Sequence, residues 1–410
     1  METYEALSSF ENLKTSYPDL YNQINSIIKE VIALRRDFRK HPELAFEETR
    51  TAQIVATKLR DWGYQVTEGV GKTGVVGILK GEKEGPVVGL RADMDALPMM
   101  DEITADYRSL TDHVAHTCGH DAHTSILLGV AKIFAERGLK KGTLKLVFQP
   151  AEEIGEGAAA MIADGVLENP KVDMMAGLHV HPTIETGQFG ITETEFSCAA
   201  MDLFELEIKG NGGHAAHPHR TIDPVAIAAQ VITALQQIVS RNTDPLDSVV
   251  VSIGQIHGGT KSTIIPDSVT LSGTVRTLNP VTREAVAKKV RSIATTITEG
   301  LGGECDVNYR FVTPSIKIDK DLRGLFEETI TELFTSDAIV YKNPSMGGED
   351  FAYYSHEIPA VFFNLGTNGG NAETAYSNHN SRFDVDEQAF VYGIAALFQL
   401  ASNYLERTDE

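Results

Sequence analysis

The sequence predicts an α/β protein: a mostly parallel sheet flanked by helices, with a ferredoxin-like domain inserted into it. Short apolar runs of the buried-strand type alternate with helical segments through residue 182, the pattern of a parallel sheet covered on both faces. Near residue 196 the pattern changes to half-buried strands and helices in the order β-α-β-β-α-β. The first kind of pattern then resumes and runs to the C-terminus. The expected domains are residues 1–195 together with 313–410, and residues 196–312 between them.

Ile24, Ile27, Ile28, Val31, Leu34 and Phe38 recur at helical spacing, so residues 23–40 read as an amphipathic helix. His41-Pro42 ends it, because proline cannot continue a helix. Residues 49–62 form a second helix, closed by Gly63. Residues 75–79 and 87–90 are buried strands, and 144–149 is a third that stops at Pro150. Between them, a helix from Asp121 carries Ile126, Leu127, Val130, Ile133 and Phe134 on one face and ends at Gly138. Residues 177–182 are another short apolar run. In the inserted domain, 203–208, 249–256, 269–277 and 306–311 read as strands, and 224–238 and 283–297 as helices. A helix at 322–334, a buried strand at 361–365 and a C-terminal helix complete the chain.

A length of 410 residues allows two domains or one domain with a large insertion. Hydrophobic residues are 42% and charged residues 23%, enough for a substantial core. The net charge of -21 argues against nucleic acid, whose phosphates need a basic footprint. Cys118, Cys198 and Cys305 are too sparse for a disulfide framework and fit a reducing compartment. The acidic start Met1-Glu2-Thr3-Tyr4-Glu5 lacks a signal-peptide pattern. No apolar run approaches the roughly 18 residues that span a bilayer. The expectation is a cytoplasmic protein without membrane or nucleic-acid partners.

The densest chemistry lies in His116-Thr117-Cys118-Gly119-His120-Asp121-Ala122-His123-Thr124. Thiolate and neutral imidazole are ligands for zinc and its first-row neighbours, so the cluster points to a metal site and to hydrolytic or redox chemistry. Its place at a helix start favours thiolate. Glu152 and Glu153 follow a predicted strand, as do Asp93 and His179, and in open α/β sheets functional groups gather beyond such strand ends. His379 lies far away in sequence but in the same expected domain. Together these residues offer enough ligands for two metal ions that share some of them. One glutamate of the pair can bind metal while the other faces a water. A lone His-Pro or Glu-Glu pair would ordinarily be a solvated loop, and the joint pattern outweighs that.

The motifs occur in a fixed order: Arg91-Ala92-Asp93-Met94-Asp95-Ala96-Leu97-Pro98, Cys118-Gly119-His120-Asp121, Gln149-Pro150-Ala151-Glu152-Glu153, Gly177-Leu178-His179, Gly212-Gly213-His214-Ala215, Ile265-Pro266-Asp267, Gly273-Thr274-Val275-Arg276-Thr277, Gly347-Gly348-Glu349-Asp350-Phe351 and Asn378-His379-Asn380. This set resembles peptidase family M20, the aminoacylase and carboxypeptidase family of two-metal enzymes, and within it the N-acyl-amino-acid amidohydrolases (hippurate and indoleacetyl-amino-acid hydrolases). The resemblance covers nearly the whole chain. It implies a two-metal catalytic domain with an inserted dimerisation or lid domain, and a homodimer or higher homo-oligomer through that domain. By motif, Cys118, His120, Glu153, His179 and His379 resemble the metal ligands, with Cys118 bridging. Glu152 resembles the general base, and His214 the histidine that crosses the dimer interface to the oxyanion. Arg276 and the backbone near Gly348 resemble the holders of the substrate carboxylate. Asp93 or Asp95 would orient ligands. Thr263 stands where the family commonly has asparagine, and Ser381 where it often has proline. His217 and His219 read as surface residues.

The implied activity is metal-dependent hydrolysis of the amide bond of small N-acyl-amino acids by an activated water. The cofactor would be two divalent ions per subunit, with Zn²⁺, Mn²⁺, Co²⁺ and Ni²⁺ all suited to a Cys/His/Glu site. A dipeptidase or carboxypeptidase of the same family is the alternative. A two-metal phosphoesterase is disfavoured by the shortage of basic residues around the motifs, and a non-catalytic metal-binding scaffold by the presence of Glu152.

Overall fold

The structure, a computed structural model, describes residues 8–407. The acidic segment Met1-Glu2-Thr3-Tyr4-Glu5 lies outside them. In chain order the regular elements are α1 (Ser8–Ser16), α2 (Pro18–Lys40), α3 (Thr49–Asp61), β1 (Gln65–Val70), β2 (Gly74–Lys80), β3 (Lys83–Asp93), α4 (His120–Arg137), β4 (Lys141–Gln149), α5 (Gly157–Ala163), β5 (Met174–Glu185) and β6 (Phe189–Ile191). Next come β7 (Ala200–Lys209), β8 (Gly213–His214), α6 (Pro224–Asn242), β9 (Val249–Gly258), β10 (Ile264–Ile265), β11 (Ser268–Thr277), α7 (Pro280–Gly300) and β12 (Glu304–Thr313). The chain closes with α8 (Lys320–Phe334), β13 (Ile339–Tyr341), α9 (Ala352–Glu357), β14 (Ala360–Asn368) and α10 (Ala389–Glu406).

Two compact units result. One holds the chain up to Glu195, Lys317–Asn343 and Asp350 onward; the other holds Phe196–Ile316 and Pro344–Glu349. The sequence pattern placed residues 313–316 and 344–349 with the first. Backbone pairing moves the second of these segments: Ser345 donates its N–H to Ser197 O at 2.8 Å, and Ala199 donates to Ser345 O at 2.9 Å.

The first unit is built on an eight-stranded sheet in the order β1-β2-β4-β3-β5-β14-β6-β13. Its centre, β4-β3-β5-β14, is parallel throughout, while β1 with β2, β2 with β4, and β14 with β6 pair antiparallel. The parallel strands are apolar on both faces because helices cover them. Leu20, Ile24, Ile27, Val31 and Phe38 of α2 are buried, and α4 and α10 are buried nearly all round. The single apolar face expected of α4 is therefore an understatement. Parallel strands end at one edge, and β3 and β4 reach it with Asp93 and Gln149 at their last positions.

The second unit pairs its long strands antiparallel in the order β12-β7-β11-β9. Along β7, Phe204, Leu206 and Ile208 alternate inward to a core shared with Val231 and Leu235 of α6 and Val290 of α7. Both helices start at proline behind a side-chain cap: Asp223 accepts from Val225 N and Ala226 N, and Asn279 accepts from Val281 N. Among the described residues, no helix is long and apolar enough to cross a membrane.

Candidate metal centre

The groups at the sheet edge are placed by unusual backbone. Gly119 separates Cys118 from His120 at φ 97°, a left-handed conformation that L side chains rarely adopt, and a Cβ there would lie 2.2 Å from Val180 Cγ2. This turn lets Cys118 and the first residue of α4 face the same space. After β4 the chain bends at Ala151, φ 54°, whose N–H is accepted by the buried Glu48 carboxylate at 2.9 Å. Gly157 permits the bend, since a Cβ would come within 1.6 Å of Pro150 O. Glu152 and Glu153 emerge from that bend, and Asp95 Oδ2 accepts the Glu153 N–H at 2.9 Å.

The result is a compact set of ligand atoms. Cys118, His120 and His179 form one group and Cys118, Glu153 and His379 another, each with its ligand atoms within 4.8 Å of one another. Cys118 is common to both. Glu152 joins His120 and Glu153 in a third such group. Cys118 Sγ lies 3.3 Å from His179 Nε2, and His379 Nε2 lies 3.5 Å from Glu153 Oε2. The outer nitrogens fix the imidazoles. His120 Nδ1 faces Asp95 O at 2.9 Å, and His179 Nδ1 faces Val180 O at 2.7 Å. A carbonyl can only accept, so both rings carry hydrogen on Nδ1 and turn Nε2 inward.

His123 is different although it shares a group with Asp93 and His120. Its Nδ1 faces Asp93 Oδ1 at 2.6 Å, and its Nε2 accepts the Val180 N–H at 2.9 Å. Both nitrogens are committed, so the ring ties Asp93 to the strand that carries His179. Asp93 in turn pairs with the buried Arg91 at 2.6 Å, and Arg91 with Asp350 at 3.1 Å.

Burial pushes the Cys118 thiol well above its ordinary range, with Glu153 adding to it. Burial also raises Glu153 to about 7 against the opposing pull of His120. Burial opposes charge on His120, but Asp93 and Cys118 outweigh it and raise the imidazole. A divalent cation among these atoms reverses all three directions, because it stabilises thiolate, carboxylate and neutral imidazole together. His120 Nε2 and Glu153 Oε1 are buried without a hydrogen-bond partner. An orphaned buried polar atom costs about 1–3 kcal/mol. Two orphans facing a thiol are what a metal site presents before its ion is counted, and the donor set fits borderline-soft divalent ions.

The profile of peptidase family M20/M25/M40 matches residues 89–403. The chain belongs to this family. It is 36% identical to the N-acetyl-L-cysteine deacetylase of Bacillus subtilis over 99% of both chains. It is also 36% identical to thermostable carboxypeptidase 2 of Saccharolobus solfataricus, over 94% of this chain and 99% of that one. A solved dinuclear metal binding peptidase of the M20 family from Bacillus subtilis aligns with TM-score 0.82 and 34% identity, over 93% of this chain and 99% of that one.

The remaining predicted residues of this M20 hydrolase lie in the second unit. His214 is exposed on β8, where β10 pairs with it and Ala215 donates to Thr263 O at 3.1 Å. Its Nδ1 accepts the Ala216 N–H at 3.1 Å, leaving Nε2 to point elsewhere. Arg276 is half-buried, and its guanidinium makes no hydrogen bond or ion pair among the described residues. Gly348 lies against it, since a Cβ at that position would be 3.2 Å from Arg276 Nη1. His217 and His219 are exposed beside His214. In the first unit, His116 and His181 stay outside the ligand groups, and burial lowers each to about 4. Glu48 escaped the sequence pattern, and Arg91 and His123 stood in its motifs without a role. Their types are ordinary, and only the fold shows what they hold. Asp93 and Asp95 were left as alternatives for orienting ligands, and both reach His120, Asp95 at Nδ1 and Asp93 at 3.8 Å from Nε2.

Proposed function

We propose that this enzyme hydrolyses the amide bond of N-acyl-amino acids. The observation that carries this is the pair of ligand groups sharing Cys118, with Glu152 beside them. Cys118, His120, Glu153, His179 and His379 would hold two divalent ions, Cys118 being common to both groups. When bound, such ions lower the pKa of water from about 15.7 to about 7 and polarise a carbonyl oxygen. Glu152, only 9% exposed, would take the proton of the attacking water and pass it to the leaving nitrogen. The half-buried Arg276 guanidinium suits the carboxylate of the amino-acid half, and the missing side chain of Gly348 leaves room beside it. His214 of a second copy of the chain would stabilise the oxyanion, which requires a homodimer formed through the second unit. Zinc and manganese are suitable ions, and the sparse cysteines support a cytoplasmic location.

The carboxypeptidase relative favours a second reading, cleavage of a peptide bond ahead of a free carboxylate by the same groups. The two separate on a panel of N-acetyl-, benzoyl- and indoleacetyl-amino acids and dipeptides. Metal-stripped protein is given back Zn²⁺, Mn²⁺, Co²⁺ or Ni²⁺, and amine release is measured. Metal-dependent cleavage of acyl-amino acids is expected. Turnover of dipeptides alone transfers the chain to the second reading, and no turnover of either overturns both.

A further inference from the structure

The metal-ligand groups join two chain segments that have little reason to meet. Cys118 precedes α4 on a turn without regular structure. His379 lies in residues 369–388, which hold no helix or strand, and it sits at φ 64° with its side chain 57% exposed. The segments touch directly where His379 N–H donates to Thr117 O at 2.8 Å and Asn378 Nδ2 to Cys118 O at 3.1 Å. These few contacts between loops, with Asn378 Nδ2 also 3.9 Å from Cys118 Sγ, do not fix a ligand to the tolerance a metal site requires.

The missing constraint comes from α2. Arg39 is fully buried near the end of this long helix. Its guanidinium donates to Asp101 at 3.2 and 3.1 Å, to His116 O at 3.1 Å and to Phe383 O at 2.7 Å. His116 is two residues before Cys118, and Phe383 is four after His379. One planar group thus holds both ligand-bearing segments, and Asp101 holds that group. A turn earlier on the same face, Arg35 repeats the arrangement: it pairs with Asp121 at the start of α4 and with Asp384 and Glu387 beyond His379. We propose that Arg39 is a positioning residue of the metal centre, setting the spacing between Cys118 and His379 through the carbonyls of His116 and Phe383. This rests on the metal-binding role given to those two residues above.

Arg39 needs its fork for this. Lysine keeps the charge but cannot reach a carboxylate and two carbonyls in fixed directions. The test is a Co²⁺ titration of metal-stripped protein, followed by the visible bands of the bound ion, with thermal unfolding of the metal-free protein beside it. Wild type, Arg39→Lys and Tyr64→Phe are compared. Tyr64→Phe removes a buried hydrogen bond to Ala131 O in the same unit, away from the site, and reports general loosening. Wild type is expected to take two ions. Arg39→Lys should keep one near wild-type affinity and bind the second, at the Cys118, Glu153 and His379 group, about 10–100-fold more weakly, the usual effect of removing a group that orients ligands. Tyr64→Phe should bind both ions as wild type does, while its metal-free form unfolds at a lower temperature.

Unchanged cobalt affinities in Arg39→Lys overturn the proposal alone. Equal weakening in Tyr64→Phe overturns it too, because loosening would then suffice. A wild-type chain that takes no cobalt overturns the metal assignment and the proposal with it. If Arg39→Lys does not fold, Asp101→Asn keeps the anchor's shape and removes its charge. A weaker second ion in that variant supports the role, and unchanged affinities overturn it.

Discussion

Glu152 and Glu153 are adjacent in sequence, yet they present different chemistry. Glu153 has its N–H held by Asp95 and its carboxylate against His379, so it is fixed among the ligand atoms. Glu152 stands beside His120, 3.9 Å from Nε2, at the margin of the same groups. That difference is testable. Glu152→Gln should retain both ions by elemental analysis while turnover falls by about 10²–10⁴-fold, the usual contribution of a general base; undiminished turnover removes Glu152 from proton transfer. Arg276 gives a second test. If the half-buried Arg276 guanidinium reads the substrate carboxylate, Arg276→Met should raise KM for an N-acyl-amino acid and leave KM for its carboxamide analogue unchanged. Equal effects on both substrates would mean that Arg276 does not read the carboxylate.

At the level of elements, α2 is more than a cover for the sheet. Its apolar face packs, while Arg35 and Arg39 reach past it to the loop that ends at α10. The Asp384 carboxyl, which burial alone would raise, is held below the ordinary aspartate value of 3.8 by Arg35 and Arg39. A carboxyl with a lowered folded pKa contributes its full stability above the unfolded value, and that stability is lost as pH falls through the folded one. Asp384→Asn should therefore lower the urea midpoint at pH 7, and the gap from wild type should close below about pH 3.8. A gap of constant size from pH 7 to pH 3 would show that the pair adds nothing through its charge. The same elements explain why much of the site was legible. Cys118 and His120 sit at a helix start that apolar spacing already marked, and Glu152 follows a strand stopped by proline. The clamp was not legible, because arginines on a helix usually face solvent and only the packing of α2 turns these inward.

For the whole molecule, metal and stability are linked. Ions that bind the folded chain and not the unfolded one stabilise it by about 2.7 kcal/mol at one hundred times their Kd. Chelation should lower Tm, and restored Zn²⁺ should recover it; a Tm indifferent to chelator would deny the ligand groups their ion. Assembly is the other whole-molecule question. If His214 serves the site of a second copy, a mixture of Glu152→Gln and His214→Ala proteins should regain activity after subunit exchange. No recovery would mean that His214 acts within its own chain or has no part in the reaction.

The sequence by itself determined the α/β class, the β-α-β-β-α-β order of the inserted stretch and the types of the chemical groups. Apolar periodicity and strand-end residues are local, and a single chain displays them. It did not determine that 344–349 would pair with residues 197–199, that α4 would be buried nearly all round, or which of the clustered histidines join the candidate ligand groups. His120, His123 and His179 are the same residue type at the same sheet edge. They differ only in what their second nitrogen meets: the Asp95 carbonyl, the Val180 N–H and the Val180 carbonyl. Val180 O is the chain neighbour of His179, but Asp95 lies 25 residues from His120 and Val180 lies 57 from His123, so the division between candidate ligand and support was decided by tertiary structure.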